Sequence, residues 1–236
     1  RILTKLLDEG WTQARSRWIY HVWIGAAHLA VGDRDAALAE ATTARQAVAS
    51  MGMPELLTLH TPEMWSALEA AAAAAPPADS SGSNAGLDGR PGDVLADLHA
   101  DAAWTIRVLG GFVVRRDERG RVDEVAVASG KPQQLLKVLA LAGQPLDDDV
   151  VIEHLWPDSD VDVGRRRLRN VIARVRATAP IVERSDGLLM LAAGVNVDAV
   201  LFEALARTAL RTEGAERSNR AREALELYRG EVLPGD

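Results

Sequence analysis

The sequence predicts a mainly α-helical protein carrying one small antiparallel β-sheet. Two patterns predict it: small apolar residues recur at helical spacing near both ends of the chain, and two-residue alternation is confined to short stretches after residue 103. Composition agrees. The 236 residues are 47% hydrophobic and 26% charged, as in globular proteins, yet only 4% are aromatic, so the cores must be built from Ala, Val and Leu. There is no Cys, which excludes disulfides, thiolate metal sites and a Cys nucleophile. The longest apolar run, from Trp18 to Val31, contains His21 and His28 and is too short to cross a bilayer. With no secretory leader and Arg1 at the start, the expectation is a piece of a larger cytoplasmic, nucleoid-associated protein.

Residues 1–75 read as helices. Ile19, Val22, Trp23, Ala26, Ala27 and Ala30 follow one helical face until Gly32-Asp33 breaks it, and Ala37, Leu38, Ala41 and Ala44 line a second helix over 35–49. Gly25, Gly32, Ala37 and Ala44 stand at the spacing of a tetratricopeptide repeat, which this segment resembles, although His21, His28 and Ala41 occupy positions usually held by bulky aromatics. An ordinary helical hairpin fits the pattern as well. An Ala-rich stretch then gives way to Pro, Gly, Ser and Asp, so residues 76–103 read as a flexible linker.

Beyond the linker, strands are expected at 104–109, 112–115 and 125–127, with turns at Gly110-Gly111 and at 117–120. Helices are expected over 133–142, over 148–156, where acids open the helix and Pro157 ends it, and over 163–178, before Pro180. Ile181-Val182 and 188–191 flank Asp186-Gly187, a hairpin turn signal. Strands, three helices and a terminal hairpin make residues 104–193 a winged helix-turn-helix. Two amphipathic helices, over 200–210 and 218–228, close the chain.

The net charge of −7 argues against a chain that coats nucleic acid over its whole surface, but the charges segregate. Residues 147–162 carry seven acids and no bases, whereas residues 163–178 carry six Arg and no acids. At 100° per residue, Leu168, Val171, Ile172 and Val175 fall in one stripe of the third helix and face the core. On and beside the opposite face lie Arg166, Arg169, Asn170 and Arg174, with Ala173 and Ala177 between them. Arg can pair bidentately with guanine, Asn with adenine, and Ala leaves room for a thymine methyl, so these four are the expected base readers. Arg165, Arg167 and Arg176 sit nearer the core boundary, as phosphate contacts or members of intramolecular ion pairs. Arg184 at the hairpin is either a wing contact to phosphate or minor groove, or an exposed turn residue. The acids have three readings: caps on helix dipoles, a partner-facing loop formed by Trp156, Asp158, Asp160 and Asp162, or a shield that DNA displaces.

Nothing points to catalysis. Ser129-Gly-Lys-Pro132 lacks the Gly spacing of a phosphate-binding loop, the five His are scattered without a third metal ligand, and no Ser has a His/Asp partner. No enzyme activity, metal or cofactor is expected.

From Trp104 to the end, the chain is similar to the Streptomyces antibiotic regulatory proteins (SARPs), which join an OmpR-type winged helix to a bacterial transcriptional activator domain. The resemblance rests on residues 106–112, 130–136, 139–141, 152–157, Arg167-Leu-Arg169, Ala173-Arg-Val-Arg176, Asn196-Val-Asp198 and 227–235. It implies a transcription regulator, in the activating sense, whose helix 163–178 reads the major groove of double-stranded DNA beside a promoter, on direct repeats in many members. It also implies an RNA polymerase contact on the loop 156–162 and makes 194–236 the first helix pair of the activator domain. The wing departs from the family in having Gly187-Leu188 in place of Gly-Tyr. A homodimer is compatible with the short half-site each module reads. The competing reading, favoured by net charge and the acidic stretch, is a protein-interaction module in a signalling regulator with no direct DNA reading.

Overall fold

The helical and alternating stretches of the sequence appear in the three-dimensional structure, a computed structural model that describes residues 11–74, 103–118 and 120–234. Along them run α1 (Trp11–Val31), α2 (Arg34–Ser50), α3 (Leu56–His60), α4 (Pro62–Ala73), β1 (Trp104–Arg107), β2 (Val113–Glu118), β3 (Arg121–Glu124) and α5 (Lys131–Ala142). There follow β4 (Leu146–Asp147), α6 (Asp148–Leu155), α7 (Val161–Thr178), β5 (Val182–Ser185), β6 (Leu188–Leu191), β7 (Val195–Val197), α8 (Asp198–Arg211) and α9 (Gly214–Leu227). The protein is mainly helical with a small mixed sheet. Among the described residues no helix is long and apolar enough to cross a membrane. The stretch expected as a linker lies, but for Ala103, outside the described residues.

The chain forms two units: one takes in 103–201 and 228–234, the other 14–74 and 202–227. Residues 194–236 are thus divided, and the segment 202–227 groups with the N-terminal helices.

In the helical unit, small residues set the packing. Val22, Trp23, Ala26, Ala27 and Ala30 of α1 are buried, as are Ala37, Ala41, Ala44 and Val48, which recur on one face of α2. Gly25 is a contact point between helices: a Cβ there would stand 3.1 Å from Leu68 Cδ2 and 3.2 Å from the Ala37 carbonyl oxygen. Asp33 caps α2 by accepting from the Ala36 N–H at 3.1 Å. Arg34 donates to the carbonyls of Ala71 and Ala74, covering the open C-terminal end of α4. The methyl groups of Ala27, Ala30, Ala209 and Ala221 form a cluster bordered by Val31 and Leu225.

The other unit holds the strands. The larger sheet has the order β3-β2-β1-β7. It is mixed, which corrects the expectation of a purely antiparallel sheet: residues 195–197 return after three helices to lie parallel to β1. Ile106 stands opposite Val114 on one side and Val197 on the other, and all three are buried. The strand expected at 125–127 lies instead at 121–124. Its residues are all exposed, and the charges of Arg121, Asp123 and Glu124 suit a free edge. The alternation that suggested a strand at 125–127 reflects the burial of Val127 on the way into α5.

The smaller sheet has the order β4-β6-β5, one strand more than the hairpin the sequence predicts. Asp186 and Gly187 have φ of 53° and 80°, the left-handed pair that a two-residue I′ turn requires. Leu146 and Asp147 add a short third strand against Leu189 and Leu188.

Asp198 joins the ends of this unit. Its buried carboxylate accepts from the N–H groups of Val108 (Oδ1, 2.8 Å), Leu109 (Oδ2, 3.1 Å) and Ala199 (Oδ1, 2.8 Å). The C-terminal tail closes on the same strand end, where Gly110 N–H donates to Glu231 O at 2.8 Å and Leu233 N–H to Val108 O at 2.9 Å. Burial, partly offset by these three donors and Arg107, pushes the Asp198 carboxyl above its ordinary value. An Asp198→Asn variant presents an amide N–H₂ or loses an acceptor where Leu109 N–H needs one. It is expected to lose about 1–3 kcal/mol in urea unfolding. Because the folded-state value is raised, wild-type stability falls as pH rises from about 3.8 through the raised value, a slope the Asn variant lacks. The gap between the two proteins should therefore narrow as pH rises across that window.

Candidate nucleic-acid interface

Three helices and a hairpin build the candidate surface. Asp147 begins α6 by accepting from the Asp149 N–H at 2.8 Å, and the chain leaves α6 at Leu155. A turn through Trp156–Asp160 leads into α7, where Asp160 accepts from the Asp162 N–H at 3.0 Å. The helix thus starts two residues before the expected Val163, because the cap lies at Asp160. Asp147 and Asp160 are caps, Asp162 lies in the first turn of α7, and Asp158 is exposed in the turn itself. Trp156 is half-buried, with the Lys131 ammonium 5.8 Å from its ring centroid. The same Lys131 donates to the Leu155 carbonyl, closing the end of α6.

Gly164 fixes how closely α6 and α7 approach. A Cβ at this buried position would lie 2.4 Å from Ile152 Cγ2. Gly164→Ala gains helix propensity of about 1 kcal/mol but must push apart two packed helices, a cost of about 1–3 kcal/mol. The expected net result is a lower urea midpoint, with Gly164→Ala costing less when Ile152→Ala is already present than in the wild-type background; additive losses in the double variant would contradict the contact.

Leu168, Val171, Ile172 and Val175 are buried, as helical stepping required. Arg166, Arg169, Asn170 and Arg174 are exposed and make no side-chain hydrogen bond or ion pair among the described residues. Ala173 and Ala177 are exposed beside them.

The arginines expected at phosphates behave differently. Arg165 Nη2 donates to both carboxylate oxygens of Asp149, at 3.1 and 3.2 Å. Arg167 Nη1 lies 3.4 Å from Ser159 Oγ, and Arg176 Nε donates to the Val182 carbonyl at 2.8 Å. Arg184 pairs with the buried Asp148, whose backbone N–H in turn donates to Gly187 O at 2.9 Å. Arg184 is therefore a strut between the hairpin and the start of α6. The readings of these acids as caps or as a shield over the Arg face name no pairs; the tertiary fold that brings α6 under α7 and the hairpin supplies them, Asp149 with Arg165 and Asp148 with Arg184.

Among the described residues no group of three or more His, Asp or Glu could hold a metal ion. No family model matches the chain, and no curated protein matches it.

Proposed function

We propose that the protein is a sequence-specific, double-stranded DNA-binding transcription regulator that reads the major groove with α7. One observation carries the reading: Arg166, Arg169, Asn170 and Arg174, which have the donors and acceptors to read base edges, stand together on and beside one exposed helix face with no hydrogen-bond or ion-pair partner among the described residues. A solvated helix face ordinarily mixes acids among its bases for i,i+4 pairing; from residue 163 onward α7 has none, and Asp162, one turn before Arg166, makes no ion pair among the described residues. In this reading residues 104–193 are an OmpR-type winged helix-turn-helix, with α7 the recognition helix and β5-β6 the wing. The helices of 14–74 and 202–227 are tetratricopeptide-like hairpins, and the whole is a SARP-like regulator. The exposed acids Asp158 and Asp162 are the candidate contact for RNA polymerase.

Repeated selection of random-sequence duplexes on the full chain tests the proposal. A common short motif should emerge, and Arg166→Ala should relax it at one position, at a cost of about 1–3 kcal/mol. A pool that stays random through successive rounds would overturn the reading in favour of a protein-interaction module.

A further inference from the structure

The chain has fewer free arginines beside α7 than its sequence offers, and acids from one helix account for two of the missing ones. Asp149, on the first turn of α6, holds Arg165 of α7 through both its oxygens. Asp148, one residue earlier and buried, holds Arg184 of the wing strand. Sequence position alone would place both arginines toward a DNA backbone.

Resting on the DNA-reading function above, we infer that Asp149 sets the sequence-independent affinity: it withholds Arg165 from DNA phosphate and so weakens binding to every duplex without altering discrimination among them. Phosphate contacts supply sequence-independent binding and add equally to every duplex, whereas base-edge contacts discriminate. A protein whose flanking guanidinium is already neutralised in place gives up affinity for all sequences and keeps its discrimination. The Asp149–Arg165 pair suits this use because both side chains are about half exposed, at 59% and 49%, so once Asp149 is removed a phosphate oxygen can reach the guanidinium. Such an exposed pair contributes little to folding, and releasing it leaves the fold in place. Arg184 is held more firmly, by a carboxylate that is only 8% exposed, and stays a strut.

The test is a double-mutant cycle on the full chain, with binding to a random-sequence duplex read across a salt series. Asp149→Asn should raise affinity for that duplex by roughly threefold to tenfold at low salt and steepen the slope of log K against log salt by about 0.9, the signature of one added phosphate contact. Arg165→Ala alone should change binding little, and Asp149→Asn/Arg165→Ala should return to the wild-type slope. Glu153→Gln, which removes an exposed acid of α6 with no ion pair among the described residues, should leave the slope unchanged and controls for net charge. An Asp149→Asn gain that persists without Arg165, or no gain at all, would overturn the inference. So would an Arg165→Ala loss as large as a phosphate contact. If the slope behaves as expected while Arg166→Ala/Arg169→Ala has no effect on duplex preference, the base-reading function fails alone. If the reverse holds, only the role of Asp149 fails.

Discussion

Replacing Arg166 and Arg169 together with Ala is expected to cost about 2–6 kcal/mol of binding to the preferred duplex, at about 1–3 kcal/mol for each base-reading side chain. Under the proposed function the loss should appear almost entirely as lost preference, since both side chains would meet base edges. It should appear without loss of stability. Both residues are exposed, make no side-chain hydrogen bond or ion pair among the described residues, and sit on or beside the face of α7 opposite Leu168 and Val175. Ala is moreover at least as good a helix former as Arg. Duplex binding by fluorescence anisotropy, run beside urea unfolding, reads the two quantities separately. A variant that loses binding only because it unfolds would show a lower urea midpoint, contrary to this account.

Leu168→Ala should do the opposite. Leu168 is 1% exposed and lies in the stripe by which α7 meets its unit. Truncating a fully buried Leu removes its transfer free energy and leaves a cavity, together about 2–5 kcal/mol. The expected outcome is a large drop in the urea midpoint. At temperatures where the variant is still folded, its preference among duplexes should match that of wild type, because the exposed face of α7 is unaltered. A Leu168→Ala protein of normal stability would mean that this stripe is not the core.

Much of this architecture was legible because local signals and tertiary packing agree. The apolar stripe of α7 obeys helical periodicity and is buried, and Asp186-Gly187 forms the turn its φ preferences require. Long-range pairings were not legible. Nothing local in Val195-Asn-Val197 says that it lies parallel to Trp104–Ile106, or that Leu146-Asp147 extends the hairpin sheet. Edge strand β3 was displaced from its expected place because its residues are all exposed, so no hydrophobic pattern marks it. The α3–α4 turn was likewise unmarked, although Pro62 at the first position of α4 is a start signal in hindsight. At the site, the helix face was readable from composition and spacing. Which arginines were already paired was not, because Asp148 and Asp149 meet Arg184 and Arg165 only after α6, α7 and the hairpin have packed. The positions that make the segment resemble a tetratricopeptide repeat are informative at the packing level: Gly25 and Ala37 meet at a close helix contact, and Ala44 is buried.

The most direct test of the central claim compares the affinity of the full chain for a selected duplex with its affinity for the same bases in scrambled order, at one fixed physiological salt concentration. Base reading by α7 predicts a ratio on the order of 10³ or more, falling toward one in the Arg166→Ala/Arg169→Ala variant. A wild-type ratio near one would contradict the claim, whatever the absolute affinity.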